Sequence, residues 1–575
     1  MSPLSLVLFL SFFSSSAWGN ETLPPKHEVR AVWIATAASL DWPKSLNKNE
    51  QQSSLRRIIQ NLRNARFNTI FFQVRAHGDA YYTSSYEPWA ENLTGTLGKD
   101  PGWDPIAFLL EEAHASGMEV HAWFNLYKVG GPSLPAESNP QHVARSHPEW
   151  VMKYDGEFWL DPGIPEVNRY LLRVALDLVR QYDIDGIQFD FARYPAPDFK
   201  DERTYLANHR GLQLHDWRQS NINRFIQASY DSTTAIKPML KVGATPLGNF
   251  DGTSGDSKPE GYYNVYQDAL GWLENGSLDY LVPQIYWNIG SSSGDPDFSL
   301  LTRKWQEHSA GRHMYAGIGS YKPEILAELA AQVDSTRAHG CQGHSFFRYG
   351  TMGDFSSLKD RYRTLAIVPP MPWKDSTSPP SPAHLTVTEL ASSVYHLEWT
   401  YPAPTGPNES PVYFNIYRSI HANIDFSNPV SLIAVFPSKQ TFYIDSVETL
   451  ESARYYYAVT ALNRGNNESA PSPVTAASPK ELLALRTLLC GTLSLAATVN
   501  NSPDSLVLIA YRLPFRMRMS LQAHTERTEI VQLESGIQDE GTHLLSLPLQ
   551  RFIPGEYLLR LETPEGIVEH KLYVK

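Results

Sequence analysis

Cysteine is nearly absent from this chain: Cys341 and Cys490 are the only two in 575 residues. They fall in different predicted domains, so neither a disulfide framework nor a cysteine-based metal site is expected. No internal apolar run is long enough to cross a bilayer. Basic clusters are missing too, and the formal charge of −12 argues against nucleic acid as a partner. A glycine-rich phosphate loop is also absent.

The N-terminal stretch Met1–Gly19 reads as a secretory signal. Leu4 to Phe13 is mostly apolar, serines follow, and Ala17-Trp18-Gly19 offers small residues for cleavage. No Lys or Arg precedes the apolar run, and no cysteine near the cleavage site provides for a lipid anchor there. A periplasmic or secreted protein is the expectation.

Length implies three to four domains. Between about residues 27 and 366, apolar strands alternate with amphipathic helices. Eight strands are predicted: Glu28–Ala37, Asn68–Ala76, Glu119–Leu126, Asp185–Phe191, Leu240–Thr245, Leu278–Trp287, His313–Gly319 and His344–Tyr349. Helical spacing is clear at Leu55, Ile58, Ile59 and Leu62, and at Val167, Leu171, Val174 and Leu178. Asp104-Pro105 has the form of an N-cap followed by a first-turn proline. A further helical pattern covers Leu358–Leu365. Eight strand–helix units make an α/β fold, a (β/α)8 barrel with enlarged loops; a doubly wound open sheet is the alternative.

Residues 367–382 are proline-rich and read as a linker. Periodicity then switches to two. Residues 383–478 resemble a fibronectin type III sandwich through Trp399, the strand Tyr413–Arg418, and Tyr455–Val459 leading to Asn463-Arg464-Gly465. Residues 485–575 read as a second small β-sandwich.

Within the barrel, polar and aromatic residues gather at strand C-termini, where barrel enzymes place their sites. Asp-Gly-Ile-Gln-Phe-Asp-Phe-Ala-Arg-Tyr-Pro (185–195) is the most informative stretch. Gly186, Gln188 and Asp190 share one face. Likewise Gln73, Arg75 and His77 are predicted to share a face in strand two, His121, Trp123 and Asn125 in strand three, and Gln284 and Tyr286 in strand six, with Trp287 at its tip. Carboxylates among aromatics suggest glycoside hydrolysis, which uses an acid and a second carboxylate. Asp190 fits a nucleophile or base, with a partner acid on a neighbouring loop; Asp79 and Asp161 are the candidates for the second position. No Glu stands at the end of strand five. Trp33, Trp42, Trp123, Tyr286 and Trp287 could stack on sugar rings. Arg75, His77, His121, Asn125, Arg193, Tyr194 and Gln284 would contact hydroxyls. His77, Asp79 and His121 could in principle bind a metal, but hydrogen-bonding roles fit better, and neither metal nor other cofactor is expected.

Residues 28–350 resemble the glycosyl hydrolase-like 10 (DUF187) family of exported bacterial barrel proteins. The resemblance is carried by Glu28–Trp33, Gln73–Tyr82, Glu87-Pro88-Trp89, Ala113-His114, Gly117–Asn125, His147–Trp150, Leu160–Gly163 with Pro165–Val167, Asp185–Asp190 with Arg193-Tyr194-Pro195, and Pro283–Trp287. The chain departs from the family pattern at Phe191, where a second Asp often stands, at Gln188 in place of a His, and at Asn125-Leu126-Tyr127-Lys128 in place of Asn-Pro-Tyr-Arg. The resemblance implies an exported glycosidase acting on a polysaccharide, with peptidoglycan glycan strands as one substrate class and association with the cell envelope. A non-catalytic glycan-binding or adhesion protein on the same scaffold is the alternative, and a carbohydrate esterase a third reading.

Overall fold

The computed structural model describes residues 23–250, 260–290, 295–391, 394–404, 406, 409–447, 454–476, 478–479, 493–500, 506–525, 530–539 and 541–574. The segment Met1–Gly19 and Cys490 lie outside them. Among the described residues no helix is long and apolar enough to cross a membrane.

Eight parallel strands close into a barrel: β1 (Val29–Ile34), β2 (Thr69–Arg75), β3 (Glu119–Asn125), β4 (Gly186–Asp190), β5 (Lys241–Ala244), β6 (Tyr280–Leu281), β7 (His313–Ile318) and β8 (Gly343–Phe346). Each pairs with its neighbours in sequence, and β1 pairs with β8 to close the ring. Outer helices follow seven of the strands: α1 (Lys48–Asn64), α2 (Pro105–His114), α3 (Pro165–Gln181), α4 (Leu214–Ile236), α5 (Ala269–Glu274), α6 (Phe298–Glu307) and α7 (Leu329–Ala338). The apolar faces expected on α1 and α3 are buried against the strands. Asp104 caps α2 by accepting from the Ala107 N–H at 3.0 Å. Among the described residues no eighth outer α-helix follows β8: short 3-10 turns stand at Tyr349–Thr351 and Ser356–Leu358, and the stretch expected to be helical over 358–365 continues from the second as turns and loop. Strand β6 is short because Pro283 has no N–H to give the ladder; isolated bridges at Gln284 continue its path.

Inward side chains stack in layers up the barrel axis. Glu119 and Lys241 form a buried ion pair near the N-terminal floor. Above it, His121 Nδ1 meets the Tyr280 hydroxyl at 2.7 Å. Two glycines make this layer possible: a Cβ on Gly186 would lie 2.4 Å from the His121 ring, and one on Gly243 would lie 2.3 Å from Tyr280. Trp33 donates to Gln188 Oε1 at 2.7 Å one layer higher.

Chain from outside the barrel closes the floor. Val368 and Met371 are buried with Val29 and Ala31. Trp373 donates to Asp279 Oδ1 at 2.8 Å, and Lys374 pairs with the same carboxylate. Next comes a sandwich of two four-stranded sheets, with strands between Ala383 and Pro479. Its core contains Leu397, Trp399, Phe414, Ile416 and Val459. A loop of this sandwich reaches the barrel floor, where Asn466 Nδ2 donates to Glu119 Oε1 at 2.9 Å and Arg464 pairs with Asp183 and Asp185. A three-stranded and a four-stranded sheet form the last sandwich around Val507, Ile509, Leu521 and Leu559.

Removing one member of a buried ion pair leaves an uncompensated charge. Glu119→Ala therefore destabilises the barrel by about 3–5 kcal/mol, a loss read by denaturant unfolding. Glu119→Gln, which keeps an acceptor for Asn466, loses less.

Candidate active site

A pocket of about 210 Å3 opens at the C-terminal mouth of the barrel. Asp190, the last residue of β4, sits at its base. The β3–β4 register places Asn125 beside Asp190 and Trp123 beside Gln188. Trp123 Nε1 donates to Asp190 Oδ2 at 3.2 Å, and Gln284 Nε2 approaches Oδ1 at 3.4 Å. Phe191 takes a left-handed φ of 51°, and its N–H turns back to Asp190 Oδ1 at 2.7 Å. Asp190 is only 7% exposed. Burial pushes its pKa up to about 6, against the lowering effects of the Phe191 N–H, the Arg193 charge and the Trp123 N–H. Such a group exchanges its proton near neutrality.

Trp33, His77, Trp123, Asn125, Asp190, Arg193, Gln284 and Tyr286 line the pocket together. Tyr286 stacks on Phe347 at 5.7 Å and 19°. Burial keeps the His77 imidazole below its ordinary pKa. Asn125 donates to the Ala76 carbonyl at 2.8 Å, while its Oδ1 has no partner among the described residues.

Other residues expected at the site lie elsewhere. The β2–β3 register shifts between Gln73 and Arg75, and this bulge carries Arg75 off the inner face. Arg75 instead pairs with buried Glu87 and lies over the Phe124 ring. His121 faces inward as expected, but a layer too low to reach the mouth, with Tyr280 and Glu119 as partners. That depth also separates it from His77 and Asp79. Asp79 closes the turn after β2 by accepting from the His77 N–H at 2.8 Å. Asp161 braces a loop, accepting from the Gly163 N–H at 2.8 Å and the Thr204 hydroxyl at 2.6 Å; burial raises its pKa to about 6 as well. Tyr194 is buried against Tyr266 and Phe199 and accepts from Asn221. Trp287 packs beside the outer core, and Trp42 lies within it against Phe72 and Tyr81.

The pocket is also lined by Gln73, which the strand-two parity placed on the inner face, and by Lys128, Phe191 and Phe347, which sequence reasoning did not name as site residues. Gln73 Oε1 accepts from the Thr36 and Ala37 N–H groups, shaping the loop after β1. Lys128 begins a three-stranded sheet with Glu157–Leu160 and Val151–Tyr154. It pairs with Glu157 at 2.7 Å and lies over the Phe191 ring. Among the described residues, Asp190 is the only carboxylate that lines the pocket.

The sequence profile of the family described as "Glycosyl hydrolase-like 10" matches residues 28–332. The chain is 31% identical over 484 residues to "Glycosyl hydrolase YngK" of Bacillus subtilis (strain 168), covering 78% of this chain and 93% of that protein. It is 33% identical over 324 residues to "Glycosyl hydrolase DigH" of Escherichia coli (strain K12), covering 51% of this chain and 73% of that protein. A solved structure, the PgaB (BpsB) glycoside hydrolase domain from Bordetella bronchiseptica, aligns at a TM-score of 0.44 with 14% identity, covering 59% of this chain and 99% of that one. With the matched profile spanning all but the last strand of the barrel, this chain belongs to the glycosyl hydrolase-like 10 family.

Proposed function

We propose that this protein is an exported glycoside hydrolase of bacterial polysaccharide, with peptidoglycan glycan strands as its substrate class and Asp190 as its proton carrier. One observation carries the reading: a buried carboxyl, raised to about 6, at the base of an aromatic-walled pocket in the barrel mouth. A pKa raised by burial suits an acid better than the nucleophile or base that the sequence pattern suggested. Asp190 delivers its proton to the glycosidic oxygen as the bond from the anomeric carbon to that oxygen breaks. The Trp123 and Phe191 N–H groups then hold the carboxylate left behind. Water completes the hydrolysis. No second carboxylate lines the pocket among the described residues; Glu157 is paired with Lys128 outside that lining. Export, with a periplasmic or extracellular site and association with the cell envelope, rests on the apolar N-terminal stretch. A lone lining carboxylate is also what the glycan-binding alternative would display.

On purified peptidoglycan and a polysaccharide panel, Asp190→Asn lowers kcat by about 10^2–10^4-fold. Wild-type kcat/KM falls as pH rises through about 6, where the acid loses its proton. A limb that instead falls below pH 6 makes Asp190 the base, and activity that survives Asp190→Asn removes it from the mechanism.

The same shift predicts a stability effect. The folded state favours neutral Asp190, so its contribution is fully present below an ordinary carboxyl pKa of 3.8 and is lost as pH rises through about 6. Asp190→Asn should then be more stable than wild type above pH 7, by about 3 kcal/mol, with the advantage vanishing near pH 4. Denaturant unfolding at the two pH values reads the difference.

A further inference from the structure

The mouth pocket holds more positive charge than proton transfer requires. Its two walls differ in chemistry. From the ends of β6 and β8 come Tyr286 and Phe347, with Tyr321 set edge-on to both at 5.8 Å. From beyond β3 and β4, on the other side of the ring, come Lys128 and Arg193.

The two cations are not equivalent. Lys128 is answered by Glu157 at 2.7 Å. The Arg193 guanidinium lies over the rings of Trp159 and Phe191, at 5.4 and 5.0 Å from their centroids. Its one hydrogen bond among the described residues is a 3.4 Å contact to the Tyr194 carbonyl. No carboxylate of the described residues stands within ion-pair distance of it. Aromatic packing thus holds a planar fork of donors in place with no carboxylate of the described residues paired to it, the geometry in which Arg recognises a carboxylate. While Asp190 carries its proton, as an acid awaiting substrate must, it offers Arg193 no negative charge.

We propose that Arg193 is a specificity-determining residue that binds a carboxylate carried by the sugar seated beside Asp190, making the preferred substrate an acidic glycan. The sugar's apolar face lies on Tyr286 and Phe347, and its acidic substituent turns to the cationic wall. This rests on the hydrolase reading and narrows it. The carboxylate could come from a uronic acid or from an acid attached to the ring through an ether.

The test uses the full chain and two acidic oligosaccharides, one of each kind. Each is paired with a copy whose carboxyl has been reduced to a primary alcohol. Wild type should favour one acidic glycan over its reduced copy by about 10–100-fold in kcat/KM, and the favoured pair identifies the source of the carboxylate. Arg193→Gln should bring that ratio close to one, and Arg193→Lys should keep part of it. The same ratios are measured as dissociation constants by calorimetry in Asp190→Asn, so the subsite is judged even if nothing is cleaved. Absence of cleavage with a retained binding ratio sinks the hydrolase reading and keeps the acidic subsite. A wild-type ratio near one for both pairs, or a ratio that persists in Arg193→Gln, overturns the proposal.

Discussion

Period-two alternation on a closed ring of strands is the constraint from which the rest of this molecule follows. Once eight parallel strands close, every second side chain must fit a narrow interior. The side chains there interlock by layer, from the Glu119–Lys241 pair to Trp33 on Gln188 and Trp123 on Asp190. The carboxyl at the top inherits its position from this stack. Its elevated pKa is a result of the packing beneath and around it, since burial outweighs every neighbouring donor and cation.

Much of this is legible in the sequence because the alternation is strict where strands are regular. The inward faces of β1, β3, β4 and β6 follow from counting residues by twos, and that places Trp33, Trp123, Asn125, Asp190, Gln284 and Tyr286 on the lumen side. Three kinds of information are missing from the count. An inserted residue changes the face, as the irregularity before Arg75 does. Face says nothing of height, so His121 shares Trp123's parity yet sits a layer below the mouth. Beyond the last laddered residue the alternation no longer binds the chain, so Tyr194, which shares Asp190's parity, turns into the packed exterior.

Lys128 and Glu157 show a further limit. They meet only because the chain folds a small antiparallel sheet over the barrel mouth, pairing Lys128 with Trp159 in its register. No local pattern joins residues as far apart in sequence as Lys128 and Glu157 in such a loop. Phe191 is different again: its side chain lines the pocket while its backbone N–H turns back to the Asp190 carboxyl.

The floor of the barrel has a consequence for how this protein can be dissected. A loop of the middle sandwich supplies Asn466 to an ionised pair inside the barrel, and chain preceding that sandwich seals the opening with Met371 and Trp373. Cutting after β8 would remove both the stopper and the amide. Water would then reach charges now solvated by protein alone. The barrel and the sandwich next to it are therefore joined by more than the chain between them, and a cut after residue 366 would part groups that pack together.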